Sequence, residues 1–177
     1  MKTKAKMAAV AVAAAILIIS SCGKEENTAN AAAQSIKWLA FNQGAELAKK
    51  ENKIVMVDFY ADWCTWCKVL EKETLSDYTV NEKLKADFIT VRIDVDSYDT
   101  VKFMGREMTA RDFAVAMGVS SLPTVAFFES NGQAITKIPG FMKKEQFLPV
   151  LNYLADGCHE KSISFASYKT NPQVCKK

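Results

Sequence analysis

The sequence lacks three features that would assign it to a specialised class of protein. No stretch of about 20 to 50 residues repeats itself, which excludes a solenoid or a propeller. No charge of one sign dominates, because the formal net charge of +3 comes from 23 basic and 20 acidic residues. Lys2, Lys4 and Lys6 account for that difference, so nothing indicates nucleic-acid binding. The apolar run at residues 7–19 is too short to span a bilayer comfortably as a permanent helix.

The N-terminal segment is predicted to be an export signal rather than part of the fold. Three lysines precede the apolar run, a pattern typical of a signal peptide. The run ends at residues 19–22, Ile-Ser-Ser-Cys, which resembles the bacterial lipobox, in which the cysteine is lipidated. Ordinary signal cleavage nearby, with Cys22 left as a thiol, is the alternative. We expect a lipoprotein signal peptide at 1–21, lipid on Cys22 and a small, polar, flexible tether at 22–34.

The rest of the chain has the composition of one ordinary globular domain, with 49% hydrophobic and 24% charged residues. Short β-like runs alternate with amphipathic helical runs from residue 35 onward. Two nearly continuous apolar runs, 54–60 and 88–95, predict strands that are covered on both faces. The sequence Ser-Asn-Gly at 130–132 predicts a hairpin turn. The pattern therefore favours an α/β fold in which a central mixed β-sheet is flanked by helices.

The remaining predicted elements follow from the same periodicities. Ser76 and Asp77 interrupt a helical run and are expected to cap a new helix. Gly118 is expected to end another helix. We predict further strands at 36–41, 124–128 and 135–138, and helices at 45–51, from the cysteine pair onward, at 109–117 and at 143–154.

Cys64 and Cys67 carry the chemistry that we predict. They are separated by two residues and lie where the strand at 54–60 runs into a helix. The helix N-terminus favours the thiolate of the first cysteine, so Cys64 is the expected nucleophile. Cys67, three residues further on, would attack the resulting mixed disulfide and release the substrate.

Two other interpretations of this cysteine pair remain open from the residues alone. Zinc sites often use the same spacing, but a four-ligand site would need Cys158, Cys175 or His159 to converge on the pair. A purely structural disulfide is the second alternative, although so short a loop stabilises little. No metal is expected at this site.

Residues 55–68, Val-Met-Val-Asp-Phe-Tyr-Ala-Asp-Trp-Cys-Thr-Trp-Cys-Lys, resemble the thioredoxin signature. Within the thioredoxin family they are most similar to the C-terminal periplasmic domain of DsbD-type thiol:disulfide interchange proteins. This resemblance implies a thioredoxin fold at 35–155, thiol–disulfide oxidoreductase activity and no cofactor. The likeness extends over 36–154 and includes Glu71, Thr74, Ser76, Asp77, Val80, Leu122, Pro123, Thr124, Phe127, Phe128, Gly132, Gly140, Phe141 and Met142.

The resemblance also implies roles for two acids near the cysteines. Asp58 matches the buried acid that assists proton transfer at Cys67, and burial in an apolar strand would raise its pKa. An exposed carboxylate at a strand end is the alternative for Asp58. Glu71 matches a second acid of the DsbD-like group, and the alternative is a solvated helix surface. The expected catalytic set consists of five residues: Cys64, Cys67, Asp58, Glu71 and Pro123.

Four further residues are expected to contact the substrate. In the family, the proline at Pro123 follows a cis peptide bond, and the backbone of Leu122 pairs with an extended substrate segment. An ordinary trans proline at the start of a strand is the alternative. Trp63 would pack beside the active site or in the core, and Trp66 replaces the proline of the common Gly-Pro pair between the cysteines. The expected substrate contacts are Trp63, Trp66, Leu122 and Thr124.

The direction of electron flow favoured by the resemblance is reduction of protein disulfides in the bacterial cell envelope. Expected partners are cysteine-containing envelope proteins and a membrane electron donor, with the membrane itself contacted through the lipid anchor. A disulfide oxidase or isomerase and a non-enzymatic metal-binding lipoprotein are the alternatives. Residues 156–177 form an extension that Cys158 and Cys175 could staple, or in which they could form a second redox pair. His159 is expected to be exposed.

Overall fold

The computed structural model describes residues 35–175, and the predicted signal peptide at 1–21 and the whole tether at 22–34, including Cys22, lie outside these residues. No helix at 35–175 is both long enough and apolar enough to cross a membrane. The strands are β1 (Ile54–Tyr60), β2 (Phe88–Asp94), β3 (Thr100–Phe103), β4 (Arg106–Thr109), β5 (Thr124–Phe128) and β6 (Ala134–Pro139). The helices are α1 (Phe41–Glu51), α2 (Thr65–Leu70), α3 (Tyr78–Asp87), α4 (Ala110–Ala116), α5 (Lys144–Ala155) and α6 (Phe165–Thr170).

Four strands form the central sheet in the order β2, β1, β5, β6. Strand β1 runs parallel to β2 and antiparallel to β5, and β6 is antiparallel to β5. This arrangement confirms the predicted mixed sheet flanked by helices. The hairpin of β3 and β4 forms a separate two-stranded sheet and was not predicted.

Strand β1 is buried because each face of the sheet is covered by helices. Val57 and Phe59 pack in one apolar cluster with Phe113 of α4. Met56 packs in the other cluster with Leu84 of α3 and Leu151 of α5. Since side chains alternate between the two faces of a strand, Asp58 shares its face with Met56. An ionisable group is therefore buried in the central sheet, six residues before Cys64.

The first predicted strand is wrong. Residues 36–41 make only one parallel bridge, in which Leu39 N–H donates to Thr90 O (3.0 Å) and Arg92 N–H donates to Leu39 O (3.2 Å). Helix α1 then begins at Phe41, four residues earlier than predicted. Its first turn is fixed by Asn42, which donates to Thr100 O (2.9 Å) and accepts from Lys102 N–H (2.7 Å). These contacts to the unpredicted hairpin override the local strand pattern.

The helix that follows the cysteines has the predicted interruption. After α2 the chain widens into a π-helical turn at Glu71–Leu75 before α3 starts. Asp77 caps α3, because its Oδ1 accepts from the N–H groups of Thr79 (3.0 Å) and Val80 (3.3 Å). Glu71 is the first residue of this wider turn.

The C-terminal extension is packed against α5. Cys158 and Cys175 form a disulfide whose two residues are buried beside Tyr168. The hydroxyl of Tyr153 in α5 donates to Ile163 O (2.6 Å), which joins the extension to the domain. The prediction that His159 is exposed is wrong, because its ring is half-buried and its Nε2 lies 2.8 Å from Glu129 Oε1.

Candidate active site

Cys64 and Cys67 lie at the junction of β1 and α2 and form a disulfide. The S–S distance is 2.04 Å and the two Cα atoms are 5.3 Å apart. Cys64 is the N-cap residue of α2, and its Sγ accepts a hydrogen bond from the backbone N–H of Cys67 at 3.0 Å. A sulfur that accepts an amide hydrogen at a helix start is favoured as a thiolate once the disulfide is reduced.

Both cysteines are nearly enclosed by apolar neighbours. Cys64 and Cys67 are 4% and 7% exposed and cluster with Ala61, while Leu122 packs against them from the loop before β5. The Leu122–Pro123 peptide bond is cis and Pro123 is buried. Cys158 and Cys175 are bonded to each other in a separate cluster, so they do not converge on the pair as the zinc interpretation requires.

Asp58 lies at the centre of the sheet and is 2% exposed. Burial raises its pKa from 3.8 to about 6, although the neighbouring Arg92 guanidinium opposes this effect. Its Oδ1 has no hydrogen-bond partner among the described residues. The carboxyl can therefore change protonation near neutral pH.

Arg92 is a candidate site residue that the sequence analysis did not identify. It stands directly opposite Asp58 in the parallel register of β1 and β2. Its Nε and Nη2 lie 3.0 and 2.8 Å from Asp58 Oδ2, and the same Nη2 also contacts Glu71 Oε2. The guanidinium stacks on the rings of Trp38 and Tyr60, at 4.1 and 5.0 Å from their centroids. The sequence did contain a signal for this pair, because each of the two apolar strands has one charged residue in its interior.

Glu71 lies at the start of the π-helical turn and is partly exposed. Its ion pair with Arg92 contradicts the interpretation of this residue as plain solvated surface. Glu71, Arg92 and Cys67 line one open cavity of about 430 Å³ together with Lys72. Water can therefore reach the second cysteine from the side on which the charged groups lie.

The two tryptophans that flank Cys64 are exposed, so Trp63 is not a core residue. Trp63 is 69% exposed, and its Nε1–H donates to Asp96 Oδ2 at 2.7 Å. Trp66 is 59% exposed, and its ring lies 5.6 Å from that of Phe141. Each ring is thus held at the surface by a contact from a different loop.

The end of the loop before β5 leaves Leu122 partly exposed, whereas Thr124 is buried. Leu122 is partly buried, and among residues 35–175 no backbone hydrogen bond outside the regular elements involves its N–H or C=O. Thr124 is 1% exposed, and its hydroxyl donates to Ser121 O at 2.7 Å. The Thr124 side chain therefore supports the loop and is not accessible to a substrate in this conformation.

The cysteine pair closes too small a loop to contribute much to stability. Its position at a helix start, with an amide N–H bonded to one sulfur, instead suits reversible thiol–disulfide exchange. The fold and the site together define a thiol–disulfide oxidoreductase built on the thioredoxin fold.

Comparisons with known proteins agree with this class. The model of the thioredoxin-like domain family matches residues 41–155, and the chain belongs to this family. The thiol:disulfide interchange protein DsbD of Actinobacillus pleuropneumoniae serotype 5b is 34% identical over 131 residues, which are 69% of this chain and 21% of that protein. DsbD of Yersinia enterocolitica is 38% identical over 128 residues, 67% of this chain and 21% of that protein. The chain thus spans about a fifth of the length of these relatives.

Solved structures support the fold independently. A thioredoxin-fold protein from Helicobacter pylori superposes with a TM-score of 0.61 at 20% identity, covering 71% of this chain and 83% of that one. A thioredoxin from Thermus thermophilus superposes with a TM-score of 0.56 at 24% identity, covering 68% of this chain and 87% of that one. Residues 156–175 lie beyond the matched family domain.

Proposed function

We propose that this protein reduces disulfides of cysteine-containing proteins in the bacterial cell envelope. In this proposal residues 1–21 direct export, lipid on Cys22 anchors the chain, and the tether at 22–34 carries the domain. A membrane protein supplies the electrons. The similarity to DsbD supports the envelope location and the electron donor, and the lipobox pattern supports the anchor.

The reaction transfers two electrons from the reduced cysteine pair to the substrate. The Cys64 thiolate attacks a substrate disulfide, forms a mixed disulfide with one sulfur and releases the other as a thiolate. Cys67 then loses its proton, with Asp58 as the proposed acceptor acting directly or through water. The Cys67 thiolate attacks Cys64 Sγ and releases the second substrate sulfur. The protein is left with the Cys64–Cys67 disulfide that the structure contains.

The group formed by Asp58, Arg92 and Glu71 carries the argument for the reducing direction. With Asp58 ionised, two carboxylates face one guanidinium, so the group has a net negative charge beside the cysteines. That charge opposes formation of a second anion at sulfur and offsets the pull of the helix N-terminus. Strong oxidases instead stabilise their thiolate, which favours the reduced form of the oxidase itself.

The reduction potential of the Cys64–Cys67 pair tests this proposal. The protein is equilibrated in thiol–disulfide buffers of known potential, and the pH dependence of Cys64 alkylation is measured in parallel. We expect a reduction potential of about −270 mV and a Cys64 pKa near or above neutrality. A reduction potential of about −120 mV together with an acidic Cys64 thiol would favour the alternative function, a disulfide oxidase. Metal that stays bound through purification and protects both cysteines from alkylation would favour the metal-binding alternative.

A further inference from the structure

We infer that the protein has a second site, which binds Zn²⁺ or a similar divalent transition-metal ion through Glu129, His159 and Glu160. Each of these side chains offers one ligand atom, and the three atoms lie within 4.8 Å of one another. The bound ion joins the C-terminal extension to the turn between β5 and β6. This inference does not depend on the proposed reductase function.

Glu129 is fixed at the start of the turn between β5 and β6. Its N–H donates to Gln133 O and its C=O accepts from Gly132 N–H, both at 2.8 Å. The preceding residue, Phe128, pairs with Val55 near the start of β1, whereas the cysteine pair follows the end of β1. The site therefore lies at the end of the sheet opposite the cysteine pair and takes no ligand from that pair.

His159 and Glu160 are placed by the turn that follows α5. Gly157 has a positive φ of 65°, the conformation in which many helices end. The disulfide holds Cys158, and Ser162 N–H donates to His159 O at 3.3 Å, so that Glu160 lies within a hydrogen-bonded turn. Because the backbone of both residues is ordered before an ion binds, less conformational entropy is lost on binding.

The surroundings of the His159 ring point to a ligand. Only 12% of this side chain is exposed, and its Nε2 lies 2.8 Å from Glu129 Oε1. The other ring nitrogen, Nδ1, is buried and has no hydrogen-bond partner among the described residues. Burying a polar ring for one hydrogen bond contributes little to stability. Coordination of an ion by Nε2 gives the buried ring a role that this single contact does not.

The charge of the group favours a cation. Two carboxylates, those of Glu129 and Glu160, face one imidazole, so the group is negative whether His159 is neutral or protonated. Carboxylates held this close repel each other, and a divalent ion between them removes that repulsion. The positive charge of such an ion also exceeds what a protonated histidine can supply.

The two carboxylates line a cavity of about 440 Å³ through which an ion can enter. The charged residues of this cavity are four acids and two lysines, namely Asp87, Glu129, Asp156, Glu160, Lys53 and Lys161. Both lysines have partners outside the group. Lys53 Nζ pairs with Glu51 at 3.2 Å, and Lys161 Nζ donates to Cys175 O. The lysines therefore leave the acidic charge at Glu129 and Glu160 largely uncompensated.

The donor atoms select the class of ion. Imidazole nitrogen and carboxylate oxygen together suit Zn²⁺ and its neighbours in the first transition row, whereas Ca²⁺ and Mg²⁺ take oxygen ligands. Three protein ligands leave the fourth position of a tetrahedral zinc ion for water. The exposed side chain of Glu160 can adjust to bring its oxygen to about 2.0–2.2 Å from the ion.

Zinc binding by the full chain tests this inference. The protein is used with both disulfides formed, and any free thiol is alkylated first, so that no sulfur can bind the ion. Isothermal titration calorimetry with Zn²⁺ should show saturable binding of one ion per chain. Zn²⁺ should also raise the midpoint of thermal unfolding, whereas Ca²⁺ and Mg²⁺ at the same concentration should not.

Glu160→Gln should weaken zinc binding by at least about tenfold, since loss of even an indirect partner of a metal ligand typically costs about 10- to 100-fold in affinity. The side chain is exposed, so the fold should be retained, which the thermal midpoint without metal checks. The matched control is Glu145→Gln, an exposed glutamate in the first turn of α5, at the other end of that helix from the site. The control should bind Zn²⁺ as the unmodified protein does.

Hydrogen exchange measures whether the ion joins the two segments. Zn²⁺ should slow exchange of the backbone amides at 129–133 and 157–163 and leave those of α1 unchanged. Lack of saturable zinc binding would overturn the inference, as would equal binding of Ca²⁺, equal affinities of Glu160→Gln and Glu145→Gln, or protection that misses both segments. None of these measurements uses disulfide reduction, so failure of the proposed reductase is detected separately.

Discussion

At the scale of single residues, the pairing of Asp58 with Arg92 needs an explanation beyond stability. Removing two charges from water is costly. A buried ion pair therefore often contributes less to the stability of the folded state than well-packed apolar residues would. Here the cost is increased because Asp58 Oδ1 has no partner among the described residues. The pair is therefore better explained by the role that we propose for Asp58, proton transfer at Cys67, than by a contribution to folding.

Replacing Asp58 by Asn should make the protein more stable at neutral and alkaline pH. The folded-state pKa of about 6 lies above the ordinary value of 3.8. The carboxyl thus contributes stability that is fully present below pH 3.8 and is lost as the pH rises through about 6. We expect Asp58→Asn to raise the free energy of unfolding at pH 8 by at most about 3 kcal/mol.

Denaturant unfolding of both proteins from pH 4 to pH 8 measures this difference. The difference between their free energies of unfolding should increase mainly between pH 4 and pH 7. Asp87→Asn is the control, because that carboxylate is partly exposed and forms a salt bridge with Lys83 within α3. A difference in the free energy of unfolding that stays constant over this pH range would contradict the raised pKa of Asp58.

The two cysteines should differ sharply when they are substituted singly. Cys64→Ser removes the nucleophile and should abolish turnover, because no mixed disulfide can form. Cys67→Ser leaves the nucleophile in place but removes the group that resolves the intermediate, so mixed disulfides with envelope proteins should accumulate. Non-reducing gels of cells that produce each variant measure the trapped species. Trapping by Cys64→Ser instead would reverse the assigned roles.

The sequence indicated most of these residues, but it did not indicate which of them contact each other in the fold. Cys64, Cys67 and Asp58 could be identified because they lie in one short motif. Arg92 lies 34 residues from Asp58, and only the register of β1 and β2 brings the two together. A pattern along one chain predicts strands, but it does not specify which residues of two strands stand opposite each other.

At the scale of elements, predictions succeeded where the local pattern and the packing agree. Strand β1 was predicted with its observed bounds because an apolar run of this length suits a strand covered on both faces. The hairpin of β3 and β4 was missed because its strands have only four residues each and are partly exposed. Without that hairpin, nothing in the sequence marks the early start of α1, which is set by contacts from Asn42.

The C-terminal extension should depend on its disulfide. Replacing both Cys158 and Cys175 by Ala removes a cross-link between residues 17 apart in sequence. In the chain-entropy model a loop of this length contributes about 3 kcal/mol. We expect a loss of that order in thermal or denaturant unfolding of the oxidised protein.

A second measurement separates this structural role from a redox role. The variant that lacks Cys158 and Cys175 should keep its reduction potential, because these buried sulfurs lie in a cluster apart from Cys64. Lys169→Ala, an exposed change in α6, serves as the control for the unfolding experiment. A shifted potential in the cysteine variant would instead favour a second redox pair.

At the scale of the whole molecule, the proposed anchor determines where the active site can work. About a dozen tether residues at roughly 3.4 Å each reach on the order of 40 Å when extended. A domain held on such a tether could meet substrates well away from the membrane surface. The anchor would restrict the protein to the envelope while leaving it free to rotate.

Cys22→Ala should release the protein from the membrane while export continues. The apolar segment at 7–19 would still direct secretion, but no lipid could be attached. Fractionation of cells after a high-salt wash measures the distribution. The Cys158 and Cys175 double variant, which keeps Cys22, is the matched control and should stay in the membrane fraction. Retention of Cys22→Ala in the membrane fraction would contradict the lipid anchor.

Tethered copies would be concentrated in a thin layer, where open sheet edges promote aggregation. The single bridge of Leu39 occupies backbone groups of Thr90 and Arg92 on the outer side of β2. On the opposite edge, β6 ends at Pro139, which has no N–H to offer a further strand. Residues 36–40, which form this bridge instead of the predicted strand, therefore cover part of one edge of the sheet, which would let anchored copies crowd together without joining their sheets there.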